Sequence, residues 1–380
     1  MAARPAVLTW LLASIVLAQT TPTPPTSEAV LARLRTDLEP AINSEIKQGH
    51  LPGLVIGVVK SGRLIYAQGF GVRKIGESSP TTSRSLFHMA SVTKTFVATA
   101  VMQLVESGKI DLEAPLIRYL PYFRLADERY RAITIRQMLS HSSGIPDVDD
   151  YHWDKPEFDD GALERYVRSL ATKKPIFPPG AKFGYSNPAY ETLGDVIAKV
   201  SGETFEDYVQ HNILTPLGMK DSTLLLREAN PQLLTSPHLL QRGKLVVSKV
   251  FPYNRAHAPS STLYSNIDDM SRWAIANLNG GELDGKRMLK RETLDTMWRP
   301  VIDAPTSKVG LSWFTKEDRG HRFVLCAGAD VGFESLVVLA PDDAFAVIGM
   351  INRGDDSTTP LNGFVNAAIR IVLGRDPFPK

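Results

Sequence analysis

Cysteine is nearly absent from this sequence: Cys326 stands alone among 380 residues, so no internal disulfide can hold the fold. The paired Cys/His spacings of zinc sites are missing, as is any H-E-x-x-H, and neither a metal nor a cofactor is expected. There is no G-x-S-x-G, which argues against the nucleophile elbow of α/β-hydrolases, and no glycine-rich phosphate loop. Charge of one sign is not in excess either: 43 Lys and Arg face 41 Asp and Glu, with no basic block to track phosphates, so nucleic acid is excluded as a partner. Internal repeats are absent, and the only biased stretch is the Thr/Pro run at residues 20–26.

One apolar run stands out, Val7 to Leu17, preceded by Arg4 and followed by Val16-Leu17-Ala18 before Gln19. That order of charge, apolar core and small residues is the layout of a secretory signal peptide, here residues 1–18. The run is shorter than the roughly 20 residues a bilayer-spanning helix needs. An exported protein, periplasmic or secreted, without stable membrane insertion after cleavage is the expectation, with a linker at 19–27. A lipid anchor would require a cysteine at the cut, and none is there.

What remains divides by periodicity. Glu28 to Lys47 carries apolar residues at helical spacing. Leu54–Val59 and Leu64–Gly69 are β-rich runs joined by Lys60-Ser61-Gly62-Arg63, a hairpin signal. Ser91 to Ser107 is a helix with little polar face, stopped by Gly108, and is expected to be buried. Residues 110–300 read as helices and long loops; strands return at Gly310–Thr315, Phe323–Cys326, Ser335–Ala340 and Phe345–Met350, and a helix at Leu361–Leu373 closes the chain. The expected fold is α+β, of α/β sandwich type. An antiparallel sheet built from both chain ends (about 28–90 and 305–375) is flanked by helices, and a large, mostly helical lobe (about 91–304) is inserted between.

Ser91-Val92-Thr93-Lys94 is an S-x-x-K at the start of the most apolar helix. Residues three apart share a helix face, so Lys94 can reach the Ser91 hydroxyl, and burial would disfavour its charged form and make it a base. The helix start also offers a backbone N–H to a developing oxyanion. A second S-x-x-K, Ser44 to Lys47, lies on an amphipathic helix and reads as solvated surface. Tyr185-Ser186-Asn187 supplies a phenol for proton relay and an amide for a substrate carbonyl. Tyr264-Ser265-Asn266 repeats the letters ahead of a helix and reads as its cap. His141 and His88 read as structural residues, and Arg353-Gly354-Asp355 as a turn.

Taken together these motifs resemble the serine β-lactamase-like family, which includes D-alanyl-D-alanine carboxypeptidases, class C β-lactamases and related esterases. The stretches Thr134–Pro146, Pro188–Gly194 and Pro216–Met219 carry the same resemblance, over roughly 30–375. It implies an acyl-enzyme on Ser91, proton transfer by Lys94 and Tyr185 with the acylation base left open, and substrate orientation by Asn187. The third family motif, Lys/His-x-Gly, matches Cys326-Ala327-Gly328, followed by Ala329. By resemblance Gly328 is retained and the Ala329 N–H joins that of Ser91 around the oxyanion. Cys326 replaces the usual cation, and a neutral thiol is a weak donor to a substrate carboxylate. The expected substrate is a small molecule or peptide, cleaved at an amide (D-amino-acid peptide or β-lactam) or ester. Neutral esters gain ground through Cys326, and a non-catalytic binding protein on the same fold is the rival class.

Overall fold

The computed structural model describes residues 25–148, 150–354 and 360–374. The expected signal segment and most of the linker lie outside them. The Lys60–Arg63 turn closes as the sequence requires, with Ser61 at φ 51° and Gly62 at φ 73°. Two positive φ values match the twist of the flanking strands. Strands Gly53–Lys60 and Arg63–Gly71 thereby pair and form one side of an eight-stranded antiparallel sheet. Across it the order is Arg63–Gly71, Gly53–Lys60, Phe345–Ile351, Phe333–Ala340, His321–Asp330, Phe314–Asp318, Ser307–Val309 and Ile302–Ala304. The hairpin from the start of the chain thus joins the C-terminal meander through Gly53–Lys60 and Phe345–Ile351.

Alternation of side chains sorts the two faces. Leu54, Ile56 and Val58 point with Val338 and Val347 toward the N-terminal helix (Val30, Leu34, Ile42) and the Leu361–Leu373 helix (Val365, Ile369). Val55, Val59, Val337 and Ile348 face the larger core, which holds the helix Thr93–Glu106 and the helix Asn187–Ser201. Fold class and architecture are as expected, α+β with both chain ends in the sheet. Among the described residues no helix is long and apolar enough to cross a membrane.

Three local expectations need correction. The N-terminal helix is interrupted by a π-helical stretch at Leu34–Leu38, between Ser27–Arg33 and Glu39–Lys47. The expected strand Gly310–Thr315 begins only at Phe314, because Gly310 N–H bonds to the Trp313 carbonyl and Ser312 is left-handed at φ 73°. The lobe boundary at 304 is blurred from both sides. Ile302–Ala304 already pairs as the edge strand, and helix Ile267–Leu278 of the middle segment packs on Gly53–Lys60 and Phe345–Ile351. Its apolar stripe (Ile267, Met270, Trp273, Ala274) has to bury, and the sheet face is the available partner.

Trp273 links that helix to helix Thr93–Glu106. Its ring stacks on Phe96 at 3.9 Å and 16°, fully buried, and its Nε1 has no hydrogen-bond partner among the described residues. Trp273→Ala is expected to lower stability by about 3–5 kcal/mol in urea titration. Trp273→Phe keeps the stack, removes the orphan N–H and should lose much less. Equal losses for the two would show that ring volume, not stacking on Phe96, secures the helix.

Candidate active site

The chain leaves the two-residue strand Phe87–His88 and turns sharply before the nucleophile helix. Ala90 takes a left-handed φ of 46°, a conformation that costs a side-chain-bearing residue about 1–3 kcal/mol and persists only where its surroundings impose it. Here Met89 is pinned from both sides: its N–H donates to the Leu263 carbonyl at 2.7 Å, and its carbonyl accepts the Ser335 hydroxyl at 2.7 Å. The turn lifts Ser91 out. From 85 to 102 it is the only residue that is not buried.

Two side chains converge on the Ser91 Oγ. Lys94 Nζ donates to it at 2.9 Å and the Tyr185 hydroxyl at 2.8 Å. Lys94 follows Ser91 on the same helical face and is buried, with a further bond from Nζ to the Ser260 carbonyl at 2.8 Å. Loss of solvation moves the Lys94 ammonium down to about 8, against an opposing pull from Glu191 and then from Cys326, Asp330 and Asp147. Burial acts oppositely on Tyr185 and raises its phenol well above the ordinary value, so the hydroxyl stays protonated. His141 stacks under the Tyr185 ring at 4.3 Å and accepts the Ser186 N–H on Nδ1 at 3.2 Å, with its own proton affinity depressed by burial and by Lys94. It orients Tyr185 rather than acting on Ser91.

Strand His321–Asp330 forms the opposite wall. A Cβ on Gly328 would lie 2.3 Å from the Met89 carbonyl oxygen, 2.8 Å from Ser335 Oγ and 2.8 Å from the Ser91 backbone nitrogen. Only glycine lets the strand approach so closely, and Ala329 follows it exposed. Cys326 is buried with Sγ 3.6 Å from the Ser91 carbonyl oxygen, and burial pushes its thiol up to about 12. It is a neutral packing residue beneath the nucleophile.

Asn187 opens the helix Asn187–Ser201, capped by Ser186, whose hydroxyl accepts the Ala189 N–H at 3.2 Å. Its amide departs from the simple expectation. Nδ2 and the backbone N–H both donate to Asp147 Oδ1 at 2.9 Å, so one amide proton is spoken for, and the buried Oδ1 has no partner among the described residues. Sequence reading missed Asp147, and missed Ser260 because it acts through its carbonyl, which every residue type carries. The two decoys fall where expected. Ser44 and Lys47 are exposed, and Asn266 Oδ1 caps its helix by accepting the Asp269 N–H at 2.9 Å while Tyr264 is buried. Arg353 is buried and donates to the His50 carbonyl at 2.8 Å, and Asp355 lies outside the described residues.

No group of His, Cys, Asp and Glu among the described residues could hold a metal ion. A cavity of about 810 Å³ opens near the sheet edge, between Trp298, Asp303, Lys308 and Arg322. Its lining includes none of the Ser91 cluster.

Comparison with known proteins agrees with this architecture. The β-lactamase family model matches residues 34–368. Protein flp of Staphylococcus aureus (strain MW2) is 25% identical over 333 residues, covering 87% of this chain and 66% of its own. Penicillin-binding protein 4 of Amycolatopsis lactamdurans is 31% identical over 258 residues, 66% of each chain. The chain therefore spans 66% of the length of either curated relative. Among solved structures, the octameric penicillin-binding protein homologue from Pyrococcus abyssi superposes with a TM-score of 0.79 at 26% identity, over 90% of this chain and 77% of that one. EstCE1, a hydrolase with promiscuous acyltransferase activity, shares the fold with a TM-score of 0.75 at 21% identity, over 91% and 99%. With the family model spanning every residue of the Ser91 cluster, the chain belongs to the β-lactamase family, whose fold is of serine-hydrolase type and is shared by penicillin-binding proteins.

Proposed function

We propose that this chain is an exported serine acyl hydrolase that works through an acyl-enzyme on Ser91 and prefers esters or amides without a carboxylate beside the scissile bond. The observation that carries the reading is the convergence of Lys94 Nζ and the Tyr185 hydroxyl on Ser91, the one side chain of its turn that is not buried. With its affinity for a proton lowered, Lys94 can present a lone pair to the Ser91 hydroxyl while one N–H stays on the Ser260 carbonyl. Ser91 Oγ then bonds to the substrate carbonyl carbon and its proton passes to Lys94. The N–H groups of Ser91 and Ala329 receive the oxyanion. On collapse the bond to the alcohol or amine breaks, and the leaving group takes the Tyr185 hydroxyl proton, which Lys94 replaces. Water repeats the sequence to release the acid and free Ser91. Tyr185 serves as relay because its phenolate is strongly disfavoured; Lys94 is the base.

The substrate preference follows from Cys326. A thiol held neutral offers no charge to a carboxylate, and the charged groups acting on Lys94 (Glu191, Asp330 and Asp147) are acidic. Export is supported by the charged, apolar and small-residue order of residues 1–18.

Intact-mass spectrometry after incubation with a fluorophosphonate, and separately with a fluorescent penicillin, tests the assignment. The fluorophosphonate should add once to wild type and not to Ser91→Ala; no adduct on wild type leaves a binding protein with this fold. Penicillin should label slowly, and Cys326→Lys should speed that labelling at least several-fold relative to a neutral ester, whereas fast labelling of wild type would refute the preference. Tyr185→Phe should reduce ester turnover by about 10²–10⁴.

Stability supplies an independent check on Lys94. Its proton affinity falls from 10.5 to about 8 on folding, so below both values the folded state bears a desolvation cost of about 3 kcal/mol. Between them the unfolded chain binds the extra proton, and stability contributed by this group rises with pH. Lys94→Met should therefore be more stable than wild type at neutral pH, by about 1–3 kcal/mol in urea titration, with the gap closing as pH rises through that window. Equal stability at neutral pH would mean a solvated ammonium.

A further inference from the structure

Lys94 is anchored by the carbonyl of Ser260, in the single helical turn Ala258–Ser261, and that turn is held in its own right. The Ser260 hydroxyl donates to Glu191 Oε1 at 2.7 Å, and the same oxygen meets His257 Nδ1 at 2.9 Å. Glu191 and Ser260 are fully buried, and His257 is 1% exposed. Glu191 Oε2 has no hydrogen-bond partner among the described residues. The His257 ring is enclosed at steep angles by Tyr166 at 4.5 Å, Tyr151 at 4.9 Å and Trp153 at 5.9 Å.

A buried carboxylate–imidazole pair with a bare oxygen is poor structural glue. Desolvating its charge costs several kcal/mol by general estimates, and apolar residues of similar volume would pack at least as stably. Its position gives it another use. The groups facing Lys94 are Glu191 from the Asn187–Ser201 helix, Cys326 and Asp330 from the His321–Asp330 strand, Asp147 from its loop, the buried His141, and the rings of Tyr185 and Tyr190. Asp330 is bonded to His88 at 2.8 Å and also accepts the Ser261 hydroxyl, and Asp147 is bonded to Asn187. Glu191 is the acid bonded to Ser260 itself, whose carbonyl carries Lys94, whereas Asp330 holds the neighbouring Ser261 of the same turn.

We propose that Glu191 and His257 are a positioning pair for Lys94, acting through the Ser260 turn. They touch no reacting atom. The inference rests on the reading of Lys94 as the base for Ser91. Two effects follow. Fixing Ser260 fixes the direction of Nζ toward Ser91, and the Glu191 charge favours a proton on Lys94, so it sets how far pH must rise before the amine is free.

The test is the pH dependence of the rate at which a fluorophosphonate phosphonylates Ser91 with loss of fluoride, which needs no knowledge of the substrate. Glu191→Gln keeps size and an acceptor and removes the charge. Its rate plateau should fall about tenfold as Lys94 loosens. Its acid limb should move down by about one pH unit, making labelling below the limb about tenfold faster relative to its own plateau. Ser260→Ala keeps the carbonyl under Lys94 and deletes the hydroxyl seen by Glu191; it should lower the plateau several-fold with the limb unmoved, and it remains informative should Glu191→Gln fail to fold. A folded Glu191→Gln protein with an unmoved limb overturns the proposal, as does a Ser260→Ala plateau equal to wild type. Wild type that is not labelled, or labelled without pH dependence, overturns the Ser91–Lys94 assignment and this inference with it.

Discussion

A tight seam joins the turn before Ser91 to strand His321–Asp330, and the geometry of the site depends on it. At Gly328 the strand backbone lies so near Met89 and Ser91 that no Cβ fits. Around that point the two segments are joined by Cys326 against the Ser91 carbonyl and by His88 to Asp330, and Ser335 of the neighbouring strand Phe333–Ala340 bonds to the Met89 carbonyl. These bonds hold Ala90 in its left-handed conformation, which the local sequence would not adopt by itself. An oxyanion needs two N–H groups at fixed separation, and on the proposed reading one comes from each side of the seam. The sheet would then be part of the site's working geometry, because it sets how far Ala329 stands from Ser91.

Burial is the second constraint, and it acts on neighbouring groups in opposite directions. The same low-dielectric surroundings loosen the proton on Lys94, hold it on Tyr185 and keep Cys326 neutral. On the proposed reading, an amine whose proton is loosened beside a phenol that keeps its own makes a base and a relay from two neighbouring groups that burial shifts in opposite directions. The carboxylates nearby limit the effect, since each favours the ammonium. Deeper burial with no acid would leave Lys94 too weak a base to accept the serine proton, whereas solvation would leave it charged. The site sits between these extremes.

The sheet and the Ser91–Lys94 pair were readable because each is written in a short stretch of chain. The hairpin announces itself through Ser61-Gly62, and Ser91 and Lys94 share a helix face by spacing alone. Tyr185 could be preferred over its double Tyr264 only through resemblance and context, and the reason is physical: two Tyr-Ser-Asn segments have the same local propensities, and tertiary contacts decide that Asn266 caps a helix while Asn187 faces Asp147. The edge strands at Ile302–Ala304 and Ser307–Val309 were missed because three residues carry no usable alternation. The Glu191–His257–Ser260 cluster was invisible for a different reason. Its members belong together only after helix Asn187–Ser201 packs against the Ala258–Ser261 turn, and Lys94 uses a backbone carbonyl there.

Cys326 changes the meaning of the wall it stands in. A cation at that position would serve the nucleophile and the substrate at once, opposing the proton on Lys94 and attracting a carboxylate. The thiol does neither: ionised, it would favour the charged lysine, and burial prevents ionisation. Loss of the cation leaves Asp147, Glu191 and Asp330 acting on Lys94 with no positive side chain from that wall to offset them. Discrimination against an anionic substrate on the proposed reading is then a matter of repulsion as well as of a missing donor. Repulsion acts on the approaching ligand and leaves the acylation machinery untouched, so selectivity and reactivity can be separated in this site.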